Sequence, residues 1–321
     1  MFERRVGDFA GMTDLPAALR TALAAQFCIW TTNIAAHQTA ADGTEKLVLE
    51  LADGERIECV LLRDGARRTI CISTQVGCAM GCVFCASGLD GVSRNLTAGE
   101  IVEQMLRLNR LLSSAERLSH VVVMGMGEPL ANLKNLLPAL AEATSATGLG
   151  ISARRITIST VGLHEAMREL AHSGLAYHLA VSLHAPDDAL RNRLVKVNRT
   201  IGVARMLEAA DEFFQRTGRR VTFEYVLLSG VNDGADCARR LATLLEGRGA
   251  MLNLIPYNPV AGLPYRTPAA AQVELFADIV RGRGINVQVR ERKGNRIDAA
   301  CGQLRRSFGA RREGIAQTSS A

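Results

Sequence analysis

The chain has 321 residues, of which 48% are hydrophobic and 22% are charged, a balance typical of a folded globular protein. No apolar run approaches the roughly 18 residues that a membrane-spanning helix needs, and charges are scattered through residues 1–20, where a secretory signal would be apolar. The composition therefore argues against a membrane or secreted protein, and we predict a cytoplasmic location.

The charges of the chain are slightly unbalanced and unevenly distributed. Lys and Arg total 38 against 32 Asp and Glu, which gives a net charge of +6. Many of the basic residues crowd the C-terminal end, between positions 281 and 312. A basic stretch suits a nucleic-acid partner, but a solvated tail has the same composition. Charge alone leaves both interpretations open.

The first 66 residues are predicted to form a small accessory region. Apolar residues recur with helical spacing from Leu15 to Phe27. Two strand-like segments follow, KLVLEL (46–51) and RIECVLL (56–62), and the dipeptide Asp53-Gly54 between them is a strong hairpin signal. We expect a helix and a β-hairpin that serve as a lid or docking element.

From about residue 68 onward, short apolar strands alternate with helices. We predict strands at 69–73, 120–125, 155–159, 178–183, 221–228 and 251–256, with a seventh at 285–289. One helix should follow the capping box at 97–100, and another should begin at Thr267-Pro268, with proline at its first position.

This alternation predicts an α/β fold in which strands buried on both faces form a parallel sheet, curled into a full or partial barrel. Polar and glycine-rich motifs come directly after the strands, at the edge where such barrels place their active sites. We assign residues 67–308 to this core and 309–321 to a disordered basic tail.

Three cysteines stand in one short motif after the first strand of the core. Cys78, Cys82 and Cys85 have the spacing CxxxCxxC. Three thiolates from one loop can hold three irons of a 4Fe–4S cubane and leave the fourth iron open to another ligand. A structural zinc ion would need a fourth Cys or His nearby, and none has a suitable spacing. A zinc site and three unrelated buried cysteines are the alternatives.

The motif and its place after the first strand resemble the radical S-adenosylmethionine (radical SAM) superfamily, whose fold is a partial (β/α)6 barrel. Further ordered blocks, from about Phe9 to about Phe308, resemble the RlmN/Cfr family of RNA adenine methyltransferases. These blocks are QVGCAMGCVFCASG (75–88), RNLTAGEIVEQ (94–104), MGMGEPLANL (124–133), ITISTVG (156–162), AVSLHAPDDALRNRL (180–194), FEYVLLSGVND (223–233), LNLIPYNPV (252–260) and KGNRIDAACGQL (293–304).

The resemblance implies one 4Fe–4S cluster per chain and a set of residues that bind S-adenosylmethionine (SAM). The open iron would bind the amino and carboxylate groups of SAM, and reduction of the cluster would cleave SAM to a 5′-deoxyadenosyl radical. Two glycine-rich-turn residues would contact the methionine amino group, and residues after the third, fourth and sixth strands would contact the ribose and adenine. These positions are Gly127, Glu128, Ser159, Ser182, Leu183, His184 and Asn258. Taken singly, each could be a turn residue that bonds only its own backbone.

The resemblance also implies three catalytic residues. Cys301, in a C-terminal active-site segment, would carry the methyl group, and Cys71, on the first core strand, would resolve the adduct. Glu58, on the second hairpin strand, matches the family's proton acceptor. The alternatives are a buried strand residue for Cys71 and a solvated carboxylate for Glu58. We interpret Cys28, Cys59 and Cys237 as small apolar fillers.

Such a family member methylates an adenine ring carbon through an S-methylcysteine intermediate. It consumes two SAM molecules per turnover, passes through a Cys71–Cys301 disulfide and takes electrons from a donor such as flavodoxin or ferredoxin. We expect a monomer that acts on ribosomal or transfer RNA, and we favour C2 of adenine over C8. Relatives usually carry a longer N-terminal domain that helps to engage RNA, so a different or smaller RNA is an alternative substrate. The alternatives are a radical SAM enzyme acting on another RNA or a small molecule, and a zinc-containing RNA-binding protein.

Overall fold

The computed structural model describes residues 2–290 and Ile297 of the chain. The strands in chain order are β1 (Asn33–Thr39), β2 (Glu45–Glu50), β3 (Arg56–Asp64), β4 (Arg67–Cys71), β5 (Gln75–Gly77), β6 (Val92–Asn95), β7 (His120–Val123), β8 (Ile156–Thr160), β9 (His178–Ser182), β10 (Val221–Leu227), β11 (Ala250–Pro256) and β12 (Asn286–Val289). The helices are α1 (Ala17–Gln26), α2 (Ala98–Asn109), α3 (Leu133–Thr144), α4 (His164–His172), α5 (Asp188–Leu194), α6 (Asn198–Ile201), α7 (Val203–Thr217), α8 (Ala235–Leu245) and α9 (Ala270–Arg281).

A ten-stranded sheet in the order β1-β2-β3-β4-β7-β8-β9-β10-β11-β12 forms the framework of the described chain. From β4 to β12 all neighbours are parallel, and β1 to β4 pair antiparallel. Because β4 pairs with β3 and not with β12, the parallel part is an open, partial barrel within this range. The predicted α/β fold and all seven predicted core strands are confirmed.

The two faces of the sheet are not equally buried. On β8 the fully buried Ile156 and Ile158 alternate with the half-buried Thr157 and Ser159. Side chains alternate between the two faces of a strand, so every second residue points towards the helices. These buried residues form one continuous core with the buried residues of the helices. Our expectation of burial on both faces is therefore wrong for β7 and β8, whose second face is half open.

The predicted hairpin is β2 and β3, and it belongs to the same sheet as the barrel. β3 pairs with β4 over Val60–Asp64 and Arg67–Cys71, so the proposed boundary at residue 66 falls in the turn between two paired strands. The sequence did not predict β1, or the small sheet formed by β5 and β6 on either side of the cysteine motif. The division at residue 66 stays a prediction.

Two predicted helices differ from the structure. α1 lies within the expected range, but none of its residues is buried. Leu19 of this helix is 44% exposed, and Phe27, which directly follows it, is 61% exposed. α9 begins at Ala270, so Pro268 lies before the helix and not at its first position. The capping box of α2, by contrast, is present as predicted between Thr97 and Glu100. No helix in the described part of the chain is both long and apolar enough to cross a membrane.

Candidate active site

The register of the sheet places the predicted active-site residues of four strands on one face. Tyr225 of β10 packs against Phe276 of α9, so its neighbour Glu224 points to the opposite, concave side. Glu224 pairs with Ser182, and the chain of pairings through Ala180 puts Ser159 on the same side. Thr157, two residues before Ser159, pairs with Val122, and Val122 pairs with Cys71, so Cys71 lies on this side as well. Cys71 pairs with Val60, and Glu58, two residues before Val60, therefore faces the same side. The concave face therefore carries Glu58, Cys71, Ser159 and Ser182 together.

The concave face also carries a polar pair that the sequence analysis missed. Glu224 and Asn253 are each 5% exposed and lie opposite each other on β10 and β11. The Asn253 amide donates to Glu224 Oε1 at 3.0 Å. Glu224 Oε2 and Asn253 Oδ1 are buried without a hydrogen-bond partner among the described residues. Because buried acceptors are normally paired, this pair fits a ligand that donates hydrogen bonds. A lone Glu or Asn inside an apolar strand is the sequence signal that could have revealed it.

The turn after β7 is held close to the strand that precedes the cysteine motif. Gly127 has a φ of +99°, and a Cβ there would lie 2.6 Å from Cβ of Gln75. The Gln75 side chain accepts a hydrogen bond from the backbone N–H of Glu128 at 2.8 Å. This close approach explains why the turn needs glycine at position 127.

Glu128 is buried at the centre of this turn, where it joins two strand ends. Its carboxylate accepts hydrogen bonds from the backbone N–H groups of Leu130 at 3.0 Å and Val161 at 2.7 Å. Burial raises the pKa of Glu128 to about 7, although these hydrogen bonds act in the opposite direction. Glu128 thus has a structural role at the site, and its contact with a ligand stays a prediction.

The residues predicted after β9 and β11 reach the same end of the sheet. The side chain of Leu183 is fully buried, so only its backbone can face a ligand, whereas Asn258 follows β11 and is partly exposed. His184 has a positive φ of 59°, and its Nδ1 accepts from the N–H of Val226 at 3.1 Å. Burial lowers the pKa of His184 to about 3, so the ring is neutral and Nε2 carries its proton.

A buried guanidinium, which the sequence analysis also missed, joins these strand ends. Arg191 of α5 donates to the carbonyl of Val161 after β8 at 2.5 Å, and to those of Ser182 and Leu183 at 2.8 and 3.0 Å. It also donates to the side chain of Asn198 on α6. Burial lowers the pKa of Arg191 to about 10, which leaves it ionised at neutral pH.

The cysteine motif packs against this part of the molecule. Phe84 meets the ring of His184 edge to face, with centroids 4.9 Å apart. Burial, followed by the neighbouring cysteines, raises the pKa of Cys82, and burial also raises that of Cys78, to about 11. Cys85 contributes to both shifts, so the three thiols lie close enough to affect one another's titration.

The thiols fit the donor set of a 4Fe–4S cluster with one open iron, since all three come from one loop of a partly enclosed site. Among residues 2–290 and Ile297, no three His, Cys, Asp or Glu side chains are placed to hold a single metal ion. Cys78, Cys82 and Cys85 are the residues that would hold the cluster.

Glu58, one of the two catalytic candidates in the described range, is tied to the turn after β7. Ser73 follows β4 and donates to the carbonyl of Glu58 at 2.6 Å, while its hydroxyl accepts from the N–H of Met126 at 2.8 Å. Glu58 is 4% exposed and its carboxylate lies 4.0 Å from the ammonium of the buried Lys46. The alternative of a solvated carboxylate at Glu58 is therefore wrong.

The remaining cysteines are distributed differently from the expectation. Cys71 is a free, half-buried thiol, and Cys59 is buried as predicted. Cys28 is exposed, so the interpretation of this residue as an apolar filler is wrong. Cys301 lies outside the described residues, and the Cys71–Cys301 disulfide stays a prediction.

Comparison with known proteins agrees with this geometry. Residues 72–240 match the model of the radical SAM superfamily. A relative from Rhodopirellula baltica, named a probable dual-specificity RNA methyltransferase RlmN, is 61% identical over 96% of this chain and 83% of its own length. A relative of the same name from Symbiobacterium thermophilum is 48% identical over 95% and 83%. The crystal structure of a radical SAM methyltransferase from Sphaerobacter thermophilus is 42% identical, covers 94% of this chain and 89% of its own, and has a TM-score of 0.91.

The chain is thus a radical SAM protein, with the cysteine motif and the barrel edge that define that class. Within the superfamily it belongs to the RlmN family.

Replacement of Arg191 by lysine should destabilise the protein by roughly 3–5 kcal/mol, because an ammonium cannot satisfy the separate acceptors that the guanidinium joins. Arg193→Lys, an exposed change on the same helix, should stay within about 0.5 kcal/mol of the wild type. Urea denaturation measures both. Equal stability of the two variants would show that the buried guanidinium is dispensable.

Glu128→Gln should change how stability depends on pH. A carboxyl whose pKa is raised by folding stabilises the folded state fully below its unfolded pKa of 4.5, and this contribution is lost as pH rises through about 7. Since glutamine imitates the protonated acid, the wild type should lose about 2–3 kcal/mol relative to the variant between pH 4.5 and pH 7. Parallel stability curves over this range would contradict the burial of an ionisable Glu128.

Proposed function

We propose that the protein is a methyltransferase that uses SAM and a 4Fe–4S cluster to methylate a ring carbon of adenine in RNA, with C2 favoured over C8. The observation that carries this proposal is the common face of Glu58, Cys71, Ser159 and Ser182. A radical SAM enzyme without a thiol methyl carrier has no need of a second cysteine and a buried carboxylate beside its SAM site.

The cluster and SAM have defined places in this proposal. Cys78, Cys82 and Cys85 hold the cluster, which when bound supplies the electron that cleaves SAM reductively. Gly127 and Glu128 take the methionine end of SAM, and the ribose and adenine lie along the strand ends that carry Ser159, Ser182, Leu183, His184 and Asn258. The unpartnered oxygens of Glu224 and Asn253 support a donor-rich ligand at this edge, such as a ribose.

The methyl group travels through the protein because C2 and C8 of adenine are poor nucleophiles. The Cys301 thiolate attacks the methyl carbon of a first SAM, so that S-adenosylhomocysteine leaves and Cys301 becomes a methyl thioether. Reductive cleavage of a second SAM would give methionine and a 5′-deoxyadenosyl radical, which takes a hydrogen atom from this methyl group and leaves as 5′-deoxyadenosine. The carbon radical that remains on the methyl group adds to the adenine ring.

Glu58 and Cys71 complete the reaction on the concave face. Glu58 removes the proton of the ring carbon, and it lies within a buried environment in which Lys46 balances its charge. The adduct radical also gives up one electron, for which the oxidised cluster would be the acceptor. Cys71 then attacks the sulfur of Cys301 as a thiolate. The bond between this sulfur and the methylene carbon breaks, the carbon takes up a proton to become the methyl group of the released base, and a Cys71–Cys301 disulfide is left. An outside reductant reopens the disulfide, and a donor such as flavodoxin or ferredoxin supplies the electrons.

The substrate we propose is ribosomal RNA, transfer RNA or both. The relatives from Rhodopirellula baltica and Symbiobacterium thermophilum are named probable dual-specificity RNA methyltransferases. A base in paired or stacked RNA must leave its stack to reach a residue on the concave face. We further propose that residues 1–66 form an accessory region to the core at 67–308, followed by a basic tail at 309–321. We also propose that the protein is a monomer and acts in the cytoplasm.

Cys71→Ala should stall the reaction after the RNA is attached. The product should be a covalent protein–RNA species, seen as a retarded band that nuclease reduces to protein with a nucleotide remnant on Cys301. Cys301→Ala should give no attachment, because no methyl carrier remains. Gel shift and mass spectrometry of the isolated protein measure both outcomes.

Cys59→Ala is the matched control, because Cys59 lies on the strand beside Cys71 but is buried in the core. It should turn over normally, with a loss of stability of about 1–2 kcal/mol. A Cys71→Ala protein that turns over normally, or that is inactive without trapped RNA, would remove the resolving role of Cys71.

A further inference from the structure

A positively charged groove lies beside the cysteine motif. Between Asp188 and Glu208 the chain contains basic residues and no acidic ones. The side chains of Asn192, Arg193, Lys196 and Arg199, from α5 and the segment that follows it, line a groove of about 530 Å³. Arg191, on the same helix, is buried and points away from this surface.

The positive charge of the groove is not neutralised by the described part of the chain. Arg193, Lys196 and Arg199 are exposed, and their side chains form no hydrogen bond or ion pair with any described residue. Other surface arginines, such as Arg240 and Arg248, pair with aspartates. The groove therefore attracts an acidic partner from solution.

The groove is attached directly to the loop that would hold the cluster. The N–H of Val83 donates to the carbonyl of Leu194 at 3.0 Å, and Cys82 forms a β-bridge with Val195. The aliphatic part of Lys196 packs on Gly81, where an added Cβ would lie 3.2 Å from Cδ of the lysine. An occupant of the groove consequently rests against the chain between the first and second cysteines.

We propose that this groove, defined by Asn192, Arg193, Lys196 and Arg199, is the docking site for an acidic one-electron carrier protein such as a flavodoxin. The inference rests on the proposed function, which requires an electron from outside. The reduced carrier would give up one electron and so be oxidised by one unit. The cluster held by Cys78, Cys82 and Cys85 would accept this electron and be reduced by one unit.

A carrier fits the groove better than RNA does. Residues that would act on the target base, Glu58 and Cys71, project from the concave sheet face, whereas the groove is built by α5 and the segment after it. The segment that builds the groove instead contacts the cluster loop directly, through Leu194 and Val195. Its few exposed cations suit the small, transient interfaces of redox partners, which depend on charge for rapid association.

The test uses the double variant Lys196→Glu/Arg199→Glu in the full-length holoenzyme. The affinity for an oxidised acidic flavodoxin, measured by calorimetry at low salt, should fall at least about tenfold and lose its dependence on salt. The rate of cluster reduction by the reduced flavodoxin should fall in parallel, while reduction by titanium(III) citrate stays unchanged. Arg193→Gln should give a smaller loss in the same direction, and it removes a charge without introducing a new one.

Arg220→Glu is the matched control. Arg220 is exposed and directly precedes β10, at the edge of the sheet away from the cysteine motif, and carrier binding should be unaffected. Carrier affinity equal in the double variant and this control would overturn the proposal. A loss of RNA affinity with unchanged carrier affinity would also overturn it and would assign the groove to RNA. Carrier binding is measured without methyl transfer, so the docking site can be tested even if the protein does not methylate RNA. Failure of this proposal and failure of the proposed function are therefore distinguishable.

Discussion

The buried guanidinium of Arg191 is the interaction on which the geometry of the site depends. It accepts no hydrogen bond, so it can be buried only if carbonyl and amide oxygens surround it, and the ends of β8 and β9 provide them. Those strand ends carry Ser159, Ser182 and His184. The continuation of α5 then pairs with the cysteine motif through Leu194 and Val195. One ion thus links the proposed SAM site, the cluster loop and the basic groove.

A second link, through Ser73, joins the N-terminal strands to the same edge. Its hydroxyl contacts the backbone of Glu58 on one side and that of Met126 on the other, and Gln104 of α2 bonds both the N–H and the carbonyl of Ser73. Because Val60 of β3 pairs with Cys71 of β4, the backbone of Glu58, two residues before Val60, is held beside Cys71. The proposed base and resolving thiol are therefore held by the framework and not by a surface loop, as precise proton and methyl transfer requires.

Much of the fold could be predicted from the sequence, because parallel strands are apolar and glycine and capping residues mark their ends. Features that depend on tertiary contact could not. The segment NIAAHQT of β1 neither alternates nor is apolar, and it becomes a strand only by pairing with β2. The helical spacing of α1 predicted an apolar face, but spacing does not say whether a partner covers it.

The residues of the site show the same difference between what a sequence motif reveals and what depends on tertiary contacts. Motif residues such as Cys78, Glu128 and His184 could be predicted because their blocks are recognisable. Glu224 and Asn253 were missed because their importance lies in unsatisfied hydrogen bonds across two strands, and Arg191 was missed because an arginine on a helix is normally exposed. Cys301 lies outside the described residues, so its proximity to Cys71 rests on the family resemblance alone.

Methylation of a ring carbon of an adenine in RNA is the activity that we propose for this framework. The decisive measurement is nucleoside analysis by mass spectrometry of ribosomal and transfer RNA from cells with and without the protein. We expect 2-methyladenosine with the wild-type protein, and its loss both without the protein and with Cys301→Ala. If the RNA contains the same 2-methyladenosine and 8-methyladenosine with and without the protein, the proposed activity is wrong.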